Sequence, residues 1–198
     1  MRARLAEQGV APVDVTDVLV SHAHFDHVDN WPVFSNARIT IGREELAWAL
    51  AEPWGDLVSE ISVQQLAQLS RTNRAADGDE VFPHVTAHLT PGHTPGHLTF
   101  VLHGSDRDVI FTGDAAKNRA ELTGRIADRT YDAAVSTRSI GTIWSWWTKR
   151  PETLLVPGHD IPMTQKDGAC VYLGPRVASV NAWYGDDIDT TTVIDLAR

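Results

Sequence analysis

Three histidines and an aspartate stand within six residues of this chain, in the run HAHFDH at 22–27. His22 and His24 alternate along an extended stretch and so can face one side of it. Asp26 and His27 follow from the next turn. Four donors this close cannot surround one ion well, but they can divide between two neighbouring ions. Imidazole and carboxylate suit zinc, and also iron or manganese. The plain alternative is a solvated polar loop; three of the chain's nine histidines gathered in six residues argue against it. Three further candidates follow: His93 in TPGHTPGH, Asp114 in FTGD and His159 in VPGHD. Two halves can be built from these donors, with three histidines on one ion, Asp26, His27 and His159 on the other, and Asp114 bridging them.

The segments around these motifs indicate what must position them. Apolar, β-branched runs at 16–21, 37–42, 84–90, 97–103, 108–113 and 152–158 read as strands. Stretches at 2–8, 43–51, about 56–70 and about 131–149 read as helices. The last carries Ala134, Ile140, Ile143, Trp144 and Trp147 at helix-face spacing, so it should pack on a sheet, with its tryptophans in the core. Each donor cluster follows an apolar run, and a strand end is where a rigid sheet presents polar groups to solvent.

Composition narrows the function classes. The chain has 198 residues, a net charge of −9 and no run of Lys or Arg, which disfavours nucleic acid and anionic membranes as partners. Its single cysteine, Cys170, excludes an intrachain disulfide and a thiolate metal cage and reads as a packed thiol. No leader-like or membrane-spanning apolar stretch is present, so one cytoplasmic domain over residues 1–198 is the expectation.

The ordered set HAHFDH, GHTPGH, TGD and PGHD resembles the metal-binding signature of the metallo-β-lactamase superfamily. That resemblance implies an α+β fold, a four-layer αββα sandwich with the metals at one edge between two sheets. It also implies His22, His24 and His93 on the first metal, Asp26, His27 and His159 on the second, and Asp114 bridging, with two zinc ions the leading choice. Two such ions lower the pKa of water and polarise a carbonyl, so the implied reaction is hydrolysis of a carbonyl ester by hydroxide made at the metals. Asp26 or Asp114 would orient that hydroxide and carry a proton to the leaving group. His97 shares the loop of His93 and reads as its support; His84, His88 and His103 read as surface or core residues.

Among branches of the superfamily, the flavodiiron type carries Glu in place of His24, and true β-lactamases carry Cys or Ser in place of Asp114. Nucleases insert long segments between Asp114 and the last histidine, and glyoxalase II-like thioesterases add a helical C-terminal domain. The closest resemblance is to N-acyl homoserine lactonases, which implies a small lactone or ester substrate. Those enzymes place a tyrosine phenol shortly after the bridging aspartate; here GDAAKNRAEL puts Lys117 there, either facing substrate or solvated. Trp31, Phe34, Trp48 and Trp54 are candidates for an apolar pocket wall, with core packing as the alternative. The family normally places several strands before its first metal motif, and only 21 residues precede His22. The expectation is therefore a fold shortened at its N-terminus, with an open apolar face that favours a homodimer. A thioesterase or other acyl hydrolase, and a truncated metal-binding remnant without turnover, are the competing readings.

Overall fold

The computed structural model describes residues 2–51, 57–150, 152–175, 179–183 and 191–195. Helix α1 (Arg2–Glu7) leads into β1 (Asp17–Val20), the short helix α2 (Phe25–Val28), β2 (Arg38–Gly42), α3 (Arg43–Ala51), α4 (Glu60–Gln68) and β3 (Thr72–Ala75). Strands β1, β2 and β3 form a parallel sheet in that order. Alternation along them sorts the faces. Val18 and Val20 of β1, with Ile39 and Ile41 of β2, pack with Leu46, Ala49, Val63 and Leu66 of α3 and α4. Leu19 points the other way, toward the second sheet.

That second sheet contains β4 (Glu80–Phe82), β5 (Val85–Leu89), β6 (Leu98–His103), β7 (Asp108–Gly113), β8 (Leu154–Pro157), β9 (Met163–Lys166) and β10 (Ala169–Tyr172). Its spatial order is β10-β9-β8-β7-β6-β5-β4. Leu98 and Phe100 of β6 face the first sheet with Val85, Ala87 and Ala75, whereas Val101 faces α6 (Ala133–Lys149). Ile140, Ile143 and Trp147 of α6 close this outer layer over Ile110 and Leu155. Truncating a fully buried side chain such as Ile39 or Ile143 to alanine costs about 2–5 kcal/mol. The layers therefore run helix, sheet, sheet, helix, as the resemblance implies. Helix α5 (Arg119–Gly124) lies between β7 and α6 in the chain, and β11 (Ser179–Trp183) pairs antiparallel with β12 (Thr191–Asp195).

Several expectations change. Ala134 is exposed, and the α6 face buries Ser136 and Ser139 instead. Their hydroxyls are satisfied there, Ser136 with the Thr130 hydroxyl and Ser139 by donating to the Pro91 carbonyl. Strands β3 and β9 read TNRA and MTQK and lack the apolar alternation that marks a strand. Trp31 and Phe34 are core residues rather than pocket wall, and Trp54 lies outside the described residues. The three-stranded sheet covers only part of its neighbour's inner face: Leu102, Phe111 and Val171 remain exposed. Among the described residues no helix is long and apolar enough to cross a membrane.

Candidate metal centre

Strands β1, β5, β7 and β8 deliver their C-terminal ends to one edge of the sandwich. Parallel pairing of β7 with β8 sets Gly113 beside Pro157, so Asp114 and His159 emerge as neighbours. Two backbone bonds fix that pair of exits: Gly158 donates to the Gly113 carbonyl at 3.0 Å, and His159 donates to the Lys117 carbonyl at 2.8 Å. A Cβ at Gly158 would collide with Asp114 Oδ1, so glycine is required for this close approach. Across the sheets, Leu98 N–H donates to the Ser21 carbonyl at 2.9 Å, tying the end of β1 to the start of β6. The loop carrying His93 is held by the approach to α6, where Tyr131 N–H donates to the His93 carbonyl and Asp132 N–H to that of Gly92.

All seven residues named from the sequence converge here. His24 Nδ1 lies 3.1 Å from His22 Nε2 and 3.0 Å from His93 Nε2. His27 Nε2 lies 3.3 Å from His159 Nε2, and Asp26 Oδ2 lies 3.4 Å from both. Asp114 stands between the groups: Oδ2 is 3.4 Å from His93 Nε2, and Oδ1 is 3.3 Å from His27 and 3.2 Å from His159. Two ligands about 2.0–2.1 Å from a tetrahedral ion are themselves roughly 3.3–3.4 Å apart. The spacing therefore fits divalent ions, and so does the burial of Asp114 Oδ1 without a hydrogen-bond partner.

The protonation states suit ligation. Desolvation lowers the pKa of His22, His24 and His93 from 6.5, that of His93 to about 3, so these rings are neutral near pH 7. Ser21 Oγ sits 3.0 Å from His22 Nδ1, where it can accept that ring's proton and leave Nε2 bare. Burial pushes the Asp114 carboxyl up, but the imidazoles of His27, His93 and His159 outweigh it and hold it at about 2.

His97 is buried with its ring 5.1 Å from that of His22, and its nitrogens meet groups other than the candidate ligand atoms. Its Nε2 accepts the backbone N–H groups of Asp114 at 3.0 Å and Ala115 at 3.2 Å. Two donors at Nε2 place the ring proton on Nδ1, which faces Thr90 Oγ1 at 3.0 Å. The supporting part read from the sequence is thus given a specific object, the backbone of Asp114. Lys117 takes neither of its two expected roles: its amine pairs with Glu121 at 2.8 Å and donates to the Asp128 carbonyl, with little exposure. His84 and His103 are exposed, and the His88 ring packs at a tilt against Trp146 at 4.8 Å; none enters the cluster. At the rim, Phe25 and Tyr131 are exposed, and the Tyr131 ring meets Trp48 edge to face at 5.9 Å.

Glu45 was not singled out from the sequence. It is fully buried, accepting from Ala23 N–H, Thr94 Oγ and Gly96 N–H at 2.8, 2.7 and 3.1 Å. Burial raises its carboxyl from 4.5 to about 7 against the pull of those three donors. The available signal was its place on the face of α3 shared with Leu46 and Ala49; its neighbour Glu44 is exposed.

Comparison with known proteins identifies relatives of the chain and its family. An N-acyl homoserine lactonase of Bacillus thuringiensis is 28% identical over 159 residues, which are 79% of this chain and 60% of that protein. The chain thus spans less than two thirds of that relative's length. An N-acyl homoserine lactone hydrolase solved with N-hexanoyl-L-homoserine at its catalytic metal centre superposes with a TM-score of 0.68 at 26% identity, covering 81% of this chain and 62% of that one. AidC, a dizinc quorum-quenching lactonase, shares the fold at 17% identity, with a TM-score of 0.66 over 88% of this chain and 69% of its own. The family model described as the metallo-beta-lactamase superfamily matches residues 1–159, and the chain belongs to that superfamily.

Proposed function

We propose that this chain is a dinuclear metal-dependent hydrolase of small lactones, with N-acyl homoserine lactones as the first substrates to try. The observation that carries the reading is the division of the Asp114 carboxylate, one oxygen toward His93 and the other toward His27 and His159. In this reading His22, His24 and His93 would hold one ion, Asp26, His27 and His159 the other, and Asp114 would serve both. Zinc suits the all-nitrogen-and-oxygen donor set, with iron or manganese as alternatives.

When bound, two such ions supply hydroxide near neutral pH and draw electron density from a carbonyl oxygen. The chain's own residues do the rest. Asp114, held ionised, orients the attacking water. Asp26 is the more exposed carboxylate of the cluster, placed to take a proton and deliver it to the leaving alkoxide. Phe25 and Tyr131 offer apolar contact at the rim for an acyl tail. The lactone preference itself rests on the named relatives at 28% and 26% identity.

Elemental analysis of the purified chain, followed by a panel of acyl-homoserine lactones, simple lactones, thioesters and aryl esters, tests the proposal. About two equivalents of metal and fastest turnover on lactones are expected. Preference for thioesters would move the assignment to the acyl-hydrolase alternative, and full metal loading without turnover to a metal-binding remnant. We also propose that residues 1–198 form one domain that self-associates through the exposed Leu102, Phe111 and Val171 face. A strictly monomeric species in sedimentation at micromolar concentration counts against that.

A further inference from the structure

We infer that Glu45 is a positioning residue that holds the loop bearing His22 and His24 in register with the loop bearing His93. The inference rests on the two-metal reading above and deepens it. Glu45 stands in the first turn of α3, outside both loops, and collects donors from each. Its Oε1 accepts from Ala23 N–H at 2.8 Å, and Ala23 lies between His22 and His24. Its Oε2 accepts from Thr94 Oγ at 2.7 Å and Gly96 N–H at 3.1 Å, and Thr94 directly follows His93.

A carboxylate is a costly choice for a fully buried position, because its charge is removed from water. All three neighbours that touch its oxygens are donors. An amide of the same shape has only one acceptor oxygen, so its NH2 would confront either Ala23 or the Thr94–Gly96 pair. A carboxyl carries an acceptor oxygen for each side and so can take both at once. The fit is tight as well: a Cβ at Gly96 would collide with the backbone of Glu44 and Glu45, so the first turn of α3 rests directly on the His93 loop.

The consequence lies at the metal-facing nitrogens. His24 and His93 are 69 residues apart in the chain, yet His24 Nδ1 is 3.0 Å from His93 Nε2. With an ion bound, both nitrogens would direct lone pairs at it, so a hydrogen bond between the two rings would not be what sets that distance. The clamp at Glu45 sets it through the backbone one residue away on each side. Ligands held in place before the ion arrives lose less freedom on binding, so the clamp favours affinity.

Zinc affinity measured by competition with a chromophoric chelator, together with the visible spectrum of the cobalt-substituted protein, tests this in the whole chain. Glu45→Gln is expected to keep the circular-dichroism spectrum and to bind the tighter zinc equivalent about 10–100-fold more weakly. Its cobalt bands should shift, reporting altered ligand geometry, and Glu45→Asp should recover part of the affinity. If Glu45→Gln does not fold, Thr94→Val removes one arm of the clamp and should weaken zinc by a smaller factor, about threefold or more. His93→Ala serves as the control for the metal site and should lose one equivalent. If His93→Ala loses its metal while Glu45→Gln, or Thr94→Val in its place, keeps wild-type affinity and spectrum, the positioning role is overturned and the metal site stands. If the wild-type chain binds no zinc or cobalt, the metal reading falls and the clamp falls with it.

Discussion

The imidazole of His97 accepts the backbone N–H of Asp114 at 3.0 Å, so a buried histidine that faces no donor cluster fixes the carboxylate at its centre. The same nitrogen accepts from Ala115 at 3.2 Å. His97→Leu therefore leaves two buried N–H groups without an acceptor, at about 1–3 kcal/mol each. Urea denaturation of the metal-free protein should show a loss of roughly 2–6 kcal/mol. An unchanged midpoint would mean that both groups find other partners.

Asp114→Ala removes a carboxylate that faces both halves of the centre. Bound metal is expected to fall from two equivalents to one, and turnover on the preferred substrate by about 100-fold or more. Retention of both equivalents with full turnover would refute the bridging role.

Lys117 is spent on Glu121 and the Asp128 carbonyl, and its backbone carbonyl, which any substitution retains, holds His159. Lys117→Met should leave kcat/KM within about threefold of wild type, under 1 kcal/mol of transition-state stabilisation. A drop of tenfold, about 1.4 kcal/mol, would place the amine at the substrate instead.

Acidification should destabilise the metal-free chain. His22, His24, His88, His93 and His97 all have folded-state pKa values below 6.5, chiefly through burial. Below pH 6.5 the unfolded chain binds protons that the folded chain refuses, so their contribution is full above 6.5 and is lost as pH falls toward the folded values. Glu45 acts in the opposite sense between 4.5 and about 7, since its folded carboxyl holds a proton that the unfolded one releases. Below pH 6.5, one group against five leaves stability rising with pH. Thermal melts of chelator-treated protein at pH 5 and pH 7 should give the lower midpoint at pH 5, and the reverse order would contradict the neutral-ring assignment.

Much of the frame was legible along the chain. Strands β1, β2, β5, β6, β7 and β8 announce themselves by β-branched apolar runs, and α6 by its 3.6-residue spacing. Strands β9 and β3 were not legible, because their polar residues make no periodic pattern and pairing alone extends them. Ser136 and Ser139 were missed on the buried face of α6 because their partners, Thr130 and Pro91, lie outside the helix.

The candidate donors and their order can be read directly along the chain: His22, His24, Asp26, His27, His93, Asp114 and His159, in clusters that follow apolar runs. Residue type and local spacing suffice for that, since they decide which atoms can bind a metal and which way neighbours point. It takes the folded chain to show that His93 faces the cluster while His97 grips the Asp114 backbone, that Lys117 turns to Glu121, and that Glu45 joins two loops. Those outcomes depend on contacts between segments far apart in sequence, where packing brings a donor to an acceptor that local pattern cannot name.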